Sequence, residues 1–240
     1  MPTNMSEVFD SIVDTKEIMD RADSIGNYYD ELIRLNCMRE LKDPQYNEYE
    51  HKKALYLCMH AVNALEAIRF YVSFAVTFSF GERKTMLGNA NIMALIARDE
   101  ALHLKGTQWI LKHWQSGKEG EEWFNISKES QEEANHIFSV AAAQEKEWAE
   151  YLTSLGSVIG LNKNILCKYV DYLTDQRMRA VGLDSPYEPG MKNPIPWINN
   201  WLNSSNKQTA PQEAEIINYV TGGLSTETFN SNSLLEHLKG

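Results

Sequence analysis

Cysteine is scarce: three residues in 240 (Cys37, Cys58 and Cys167), odd in number and without a Cys-x-x-Cys spacing. That excludes a disulfide framework and suits reduced thiols, so a cytoplasmic protein is expected. No run of eighteen apolar residues occurs. The richest stretch, Phe70 to Phe80, is interrupted by Ser73, Thr77 and Ser79 and is too short to span a bilayer, so no membrane partner is expected. The start, Met1-Pro2-Thr3-Asn4, carries no basic-then-apolar signal. Basic residues are outnumbered, 23 Lys and Arg against 33 Asp and Glu, for a net charge of −10. Such a balance argues against a general phosphate-binding surface, and nucleic acid is not an expected partner. A Gly-rich phosphate loop of Walker type is missing, as is any convincing strand alternation.

What is present is helical pattern and enough apolar residues, 43%, for one sizeable core. Periodicity predicts helices over Ser6 to about Asp23 and Asn27 to Arg39, with a break at Asp43-Pro44-Gln45. A long helix then runs from His51 to about Phe80, with Gly81 as its breaker, and another from Thr85 to about Trp114, ending near Ser116-Gly117. Further helices are predicted at about Ser127–Ser154 and Lys163–Ala180. Four of the seven prolines fall between Gly182 and Ile198 (Pro186, Pro189, Pro194 and Pro196), so that stretch should be irregular. Trp197 and Trp201 are expected to pin it onto the helices. From Ser204 onward the composition turns polar, and a flexible tail is expected over residues 204–240.

The chemistry-bearing pattern is a lone Glu66 on one long helix and Glu100-x-x-His103 on the next. If the chain reverses near Gly81, Glu66 lies about 15 residues before the turn and Glu100 about 17 after it. With about 1.5 Å of rise per residue, both come out roughly 22–26 Å from the turn, level on neighbouring helices. Glu100 and His103, three apart, share a helix face. One lone carboxylate plus one Glu-x-x-His is half of a carboxylate-bridged di-metal site, and its oxygen-rich donor set suits iron or manganese. The motif alone is weak, because it occurs three times: Glu48/His51 and Glu133/His136 also fit. The first lies about four turns from Glu66 on the same helix, too far to share a metal pair. The second sits among Glu129, Glu132 and Glu133, a solvated face. A plainer alternative for the region is a buried salt-bridge network of Glu66, Arg69, Arg98 and Asp99. For Phe70 and Phe74 it is core packing at i, i+4.

The run from Leu65 to Thr107, with Asn162–Val170 and Asn193-Pro194-Ile195-Pro196-Trp197-Ile198, closely resembles the small, radical-generating subunit of class I ribonucleotide reductase. Tyr28-Tyr29-Asp30-Glu31-Leu32-Ile33, Ala143-Gln144-Glu145-Lys146-Glu147-Trp148 and Ala210-Pro211-Gln212-Glu213 match as well, and the likeness spans about Glu7 to Gly223. The resemblance implies an all-α, ferritin-like bundle, represented here by its C-terminal portion: a partial helical domain over 1–203 and a tail over 204–240 that contacts the large subunit. It implies a di-iron or manganese pair, with Glu66, Glu100 and His103 as one metal's ligands. Phe70, Phe74 and Ile96 match the apolar wall beside the radical tyrosine, and Asp99 a carboxylate that orients a metal-bound histidine. Tyr219 matches the tyrosine that relays the radical to the large subunit, and Glu213 a carboxylate of the same tail.

In that family the first metal's carboxylate, its Glu-x-x-His and the radical tyrosine precede the matching region. The resemblance therefore implies a C-terminal piece that assembles with an N-terminal small-subunit piece, within a small-subunit homodimer, to reduce ribonucleotides. Without such a piece, Phe70, Phe74 and Ile96 should lie bare around unpaired carboxylates. The alternatives are a catalytically inactive family fragment or a ferritin-like metal-binding protein.

Overall fold

Three asparagines set helix starts. The Asn4 side chain accepts from the Glu7 N–H and opens α1 (Met5–Asp14), Asn47 accepts from Tyr49 and Glu50 and opens α3 (Glu48–Ala64), and Asn162 accepts from Ile165 and opens α8 (Lys163–Ala180). The remaining helices are α2 (Lys16–Glu40), α4 (Tyr71–Glu82), α5 (Leu87–Gln115), α6 (Glu121–Glu129), α7 (Gln131–Thr153) and α9 (Asn199–Leu202). A π turn, Leu65–Arg69, joins α3 to α4, and a 3-10 turn, Pro196–Ile198, leads into α9. This computed structural model describes residues 4–158 and 160–203. Among them the architecture is all-helical, with one isolated bridge between Val158 and Leu161.

The run from α3 through the π turn to α4 is the axis of the fold. It is apolar on almost every side, so it has to be enclosed: α2, α5, α6 and α7 pack on α3, and α5, α7 and α8 pack on α4. Small residues line the contacts and let the helices approach closely, with Ala61, Ala64, Ala67 and Ala75 on the axis, Ala90, Ala94 and Ala97 on α5, and Ala134, Ala141 and Ala149 on α7, all buried. The uninterrupted helical run Glu48–Glu82 is long and apolar enough to cross a bilayer by length and composition, but most of its apolar window is buried inside the protein. That burial marks it as a core helix.

Several predicted boundaries move. The first break falls at Thr15, whose backbone turns extended and whose hydroxyl donates to the Ser11 carbonyl, and α2 continues through Gly26. A helical glycine costs about 1 kcal/mol, which burial of Ile25 and Leu35 on the same helix offsets. The predicted helix from Ser127 is two helices, meeting at the buried Ser130. Gly81 is no breaker either. It lies inside α4, and the chain turns over Arg83–Met86, where Lys84 and Met86 take left-handed backbone angles. What Gly81 provides is room: a Cβ there would meet the Trp201 ring at 2.6 Å and the Ala90 Cβ at 2.9 Å. Trp201 uses that room to stack on Phe78, with centroids 5.3 Å apart, and to donate to Glu82 at 2.7 Å. The segment 182–195 is irregular, as its prolines require.

Two outcomes follow from this packing. Gly81→Ala should lower unfolding stability by about 1–3 kcal/mol through overpacking, with Trp201 fluorescence shifting toward that of an exposed indole; an unaltered melt and spectrum would refute the close approach. His60 is wholly buried, has no hydrogen-bond partner, and its burial lowers its pKa from 6.5 to about 3. Between those values the unfolded chain binds a proton that the folded chain refuses, so stability falls as pH drops through this window. In urea melts at several pH values, His60→Leu should flatten that slope by up to one proton, and an unchanged slope would count against the assignment.

Candidate metal site

The π turn carries Glu66, and α5 carries Glu100 and His103. In the turn the Leu65 N–H is shared between the Ala61 and Val62 carbonyls, and the helix widens before α4 resumes. Such insertions are frequent at functional sites. On α5 the stripe Ala90, Ala94, Ala97, Leu104 and Leu111 faces the core, which leaves His103 at the open edge beside Glu66. One His103 nitrogen, Nδ1, lies 3.3 Å from Glu100 Oε2 and 3.5 Å from Glu66 Oε1. The three residues present ligand atoms within 4.8 Å of one another.

The electrostatics of the cluster are unbalanced. The carboxylates are mostly covered, with Glu66 17% and Glu100 16% exposed, whereas the imidazole is 55% exposed. Burial, and then the neighbouring Glu100 charge, raise the Glu66 pKa above the ordinary carboxylate range, while His103 acts in the opposite sense. Glu66 Oε2 is buried with no hydrogen-bond partner. Two close carboxylates, an imidazole and an orphaned buried oxygen form a donor set that fits a divalent cation.

The plainer alternative for this region does not form. Arg69 turns away to bond Ser24 and Gln144, and Arg98 meets its neighbour Asp99 at 3.4 Å, so Glu66 has no part in an arginine network. The other Glu-x-x-His pairs go elsewhere too. His51 contacts Tyr46 and Asn36, Glu48 pairs with Lys52, and Glu133 and His136 lie on an exposed face. Asp99 is exposed beside Arg98. The expected bare patch is smaller than its three residues suggested. Phe74 is buried, with Tyr71 at 5.5 Å and Phe78 at 6.1 Å, and Phe70 is half-buried, while Ile96 and its neighbour Ile92 are exposed. Tyr219 and Glu213 lie outside the described residues, as does the whole predicted tail 204–240.

Two tyrosines near the cluster were not among the expected site residues. Tyr29, on α2, has its pKa raised by burial, then by Cys58 and by the Glu66 carboxylate. Tyr71, buried at the start of α4, has its pKa raised mainly by burial, with Arg177 lowering it and Glu100 adding to the rise; its hydroxyl accepts from Arg177 at 3.4 Å. No sequence signal marked the π turn that sets where Tyr71 falls relative to Glu66.

The chain is similar to several known proteins. A relative named ribonucleoside-diphosphate reductase 1 subunit beta, from Salmonella typhimurium, is 53% identical over 230 residues, covering 92% of this chain and 61% of that protein. Ribonucleoside-diphosphate reductase subunit beta of Enterobacteria phage T4 is 45% identical, covering 94% of this chain and 63% of its own length. The chain thus spans about three fifths of the curated relatives it matches. Among solved structures, a ribonucleotide reductase R2 subunit from Clostridium botulinum superposes with a TM-score of 0.63 at 25% identity, over 82% of this chain and 56% of that one. The fold is accordingly the ferritin-like bundle of ribonucleotide reductase small subunits. The family profile described as ribonucleotide reductase, small chain, matches residues 1–194, and the chain belongs to that family.

Proposed function

We propose that this chain serves as the portion of a ribonucleoside-diphosphate reductase small subunit that holds one ion of a metal pair through Glu66, Glu100 and His103. The observation that carries the reading is their convergence within 4.8 Å around an orphaned buried carboxylate oxygen. The other ion's ligands come from an N-terminal small-subunit piece that is not part of this sequence, and the exposed His103, Ile92 and Ile96 are the edge it covers. Iron or manganese suits the donors, and such a pair supplies, when bound, the oxidising chemistry for a tyrosyl radical.

The chain's own residues then divide the work. Phe74 and Phe70, with Ile96 once its face is covered, exclude water from the neighbourhood of the radical. Asp99 orients an imidazole brought by the covering segment. Tyr219 and Glu213 serve the relay to the large subunit, where ribonucleoside diphosphates are reduced, and a small-subunit homodimer is the assembly.

Titration of the full chain with Co(II) tests the ligand set. Glu100→Gln and His103→Ala should each weaken binding by about ten-fold or more, whereas Glu133→Gln with His136→Ala on the solvated face should not. Equal affinities in all variants would refute the ligand assignment. Co-expression with an N-terminal small-subunit segment should yield two metals per complex and, once the large subunit is added, deoxyribonucleotide formation. A stable complex that never holds a metal pair would sink the reading.

A further inference from the structure

The end of the π turn is gripped from two other helices. Arg21, on α2, donates through Nη2 to the main-chain carbonyl of Arg69, the last residue of the turn. The same nitrogen lies 2.9 Å from Glu145 Oε2 on α7, a side chain with no solvent exposure. Arg69, only 3% exposed, donates to Ser24 Oγ at 2.7 Å and to Gln144 Oε1 at 2.6 Å. Gln144 is itself anchored, donating to the Asp20 carbonyl at 3.0 Å. One turn further along α7 and α4, the Arg21 guanidinium lies 4.8 Å over Trp148, whose Nε1 donates to Ser73 at 3.1 Å. Burial pushes the Glu145 pKa up to about 8, and Arg21, Arg69 and the Val72 N–H, which favour its charged form, offset only part of that rise.

The contacts that reach the axis helix fall on Arg69 to Ser73, starting three residues after Glu66, and the others tie α2 to α7. A buried charged cluster is poor value as a source of stability, since apolar side chains of the same size would serve as well or better. What it does supply is register. A π turn holds one residue more than an α turn, and each residue of an α-helix rotates the chain by about 100°. Relaxation of Leu65–Arg69 into regular helix would therefore swing Glu66 away from α5 unless the chain beyond the turn were held in place.

We propose that Arg21, with Glu145 and Gln144, is a positioning clamp that locks the π turn and so sets the direction in which Glu66 presents its carboxylate to Glu100 and His103. Its functional consequence rests on the reading of Glu66 as a metal ligand, whereas the clamp itself does not. Arg21 touches no reacting group. It acts through the Arg69 carbonyl: Nη2 serves that carbonyl and Glu145 at once while the guanidinium plane rests over Trp148 and fixes its direction. A lysine has the charge but no planar group to be held against the indole.

The full chain and its Arg21→Lys variant decide the matter by two readouts. Hydrogen exchange over Leu65–Ser73 should speed up by about ten-fold or more in the variant, with α8 unchanged, and the Co(II) absorption spectrum should change together with a comparable loss of affinity. Unchanged exchange in the turn, or faster exchange spread equally over α8, would overturn the clamp. So would an unchanged Co(II) spectrum in a variant whose turn exchanges faster. If the unsubstituted chain binds no Co(II), the ligand reading fails, and the exchange measurement still decides the clamp. Should Arg21→Lys not fold, Gln144→Leu removes the Arg69 partner and is read by the same measurements with the same expected outcomes.

Discussion

The structure depends on enclosing one helix that is apolar almost all the way round while keeping a carboxylate at its edge. The run from Glu48 to Glu82 cannot expose a face without losing hydrophobic stabilisation, so five other helices pack along it. Alanines at the contacts keep the spacing short. Glu66 sits in the middle of this run, on the side toward α5, where burial penalises its charge. The π turn reconciles the two demands by changing the helix phase at that point, so that Glu66 reaches the α5 edge while Ala67, Ile68 and Tyr71 stay in the core.

The unbalanced charge of the cluster is a consequence of that placement. Two carboxylates and one imidazole meet where solvent is partly excluded, and one oxygen has no partner. A local arrangement of this kind is expensive without a cation. In the nearby cluster, by contrast, opposite charges meet: Arg21 lies against Glu145 and donates to the Arg69 carbonyl, while Arg69 donates to Ser24 and Gln144. The first arrangement is suited to binding and the second to holding shape, and they sit on opposite sides of the same turn.

The three Glu-x-x-His pairs illustrate how little local spacing decides. All share the i, i+3 geometry, yet only around Glu100 and His103 does the tertiary fold bring a further carboxylate alongside, among the described residues. His51 is absorbed by Tyr46 and Asn36, and His136 faces outward beside residues that pair with other helices.

Sequence by itself determined the helical class, the irregular proline segment and the levelling of Glu66 with Glu100, because each depends on residue spacing and local backbone chemistry. It also carried the family likeness, through runs such as Leu65–Thr107. Only the tertiary structure decided the rest. Gly81 reads as a helix breaker from its type, and its actual use is the approach of Trp201, which comes from far along the chain. Gly26, in the gap between two predicted helices, is simply carried inside α2 by burial of its helix neighbours. The π turn has no local code, since whether a helix takes up an extra residue depends on what grips it from outside, here Arg21 and Gln144. Phe74 and Ile96 are equally apolar in sequence, yet one is covered by Tyr71 and Phe78 and the other faces out. Burial belongs to contacts between distant segments, and no periodicity along one helix can specify it.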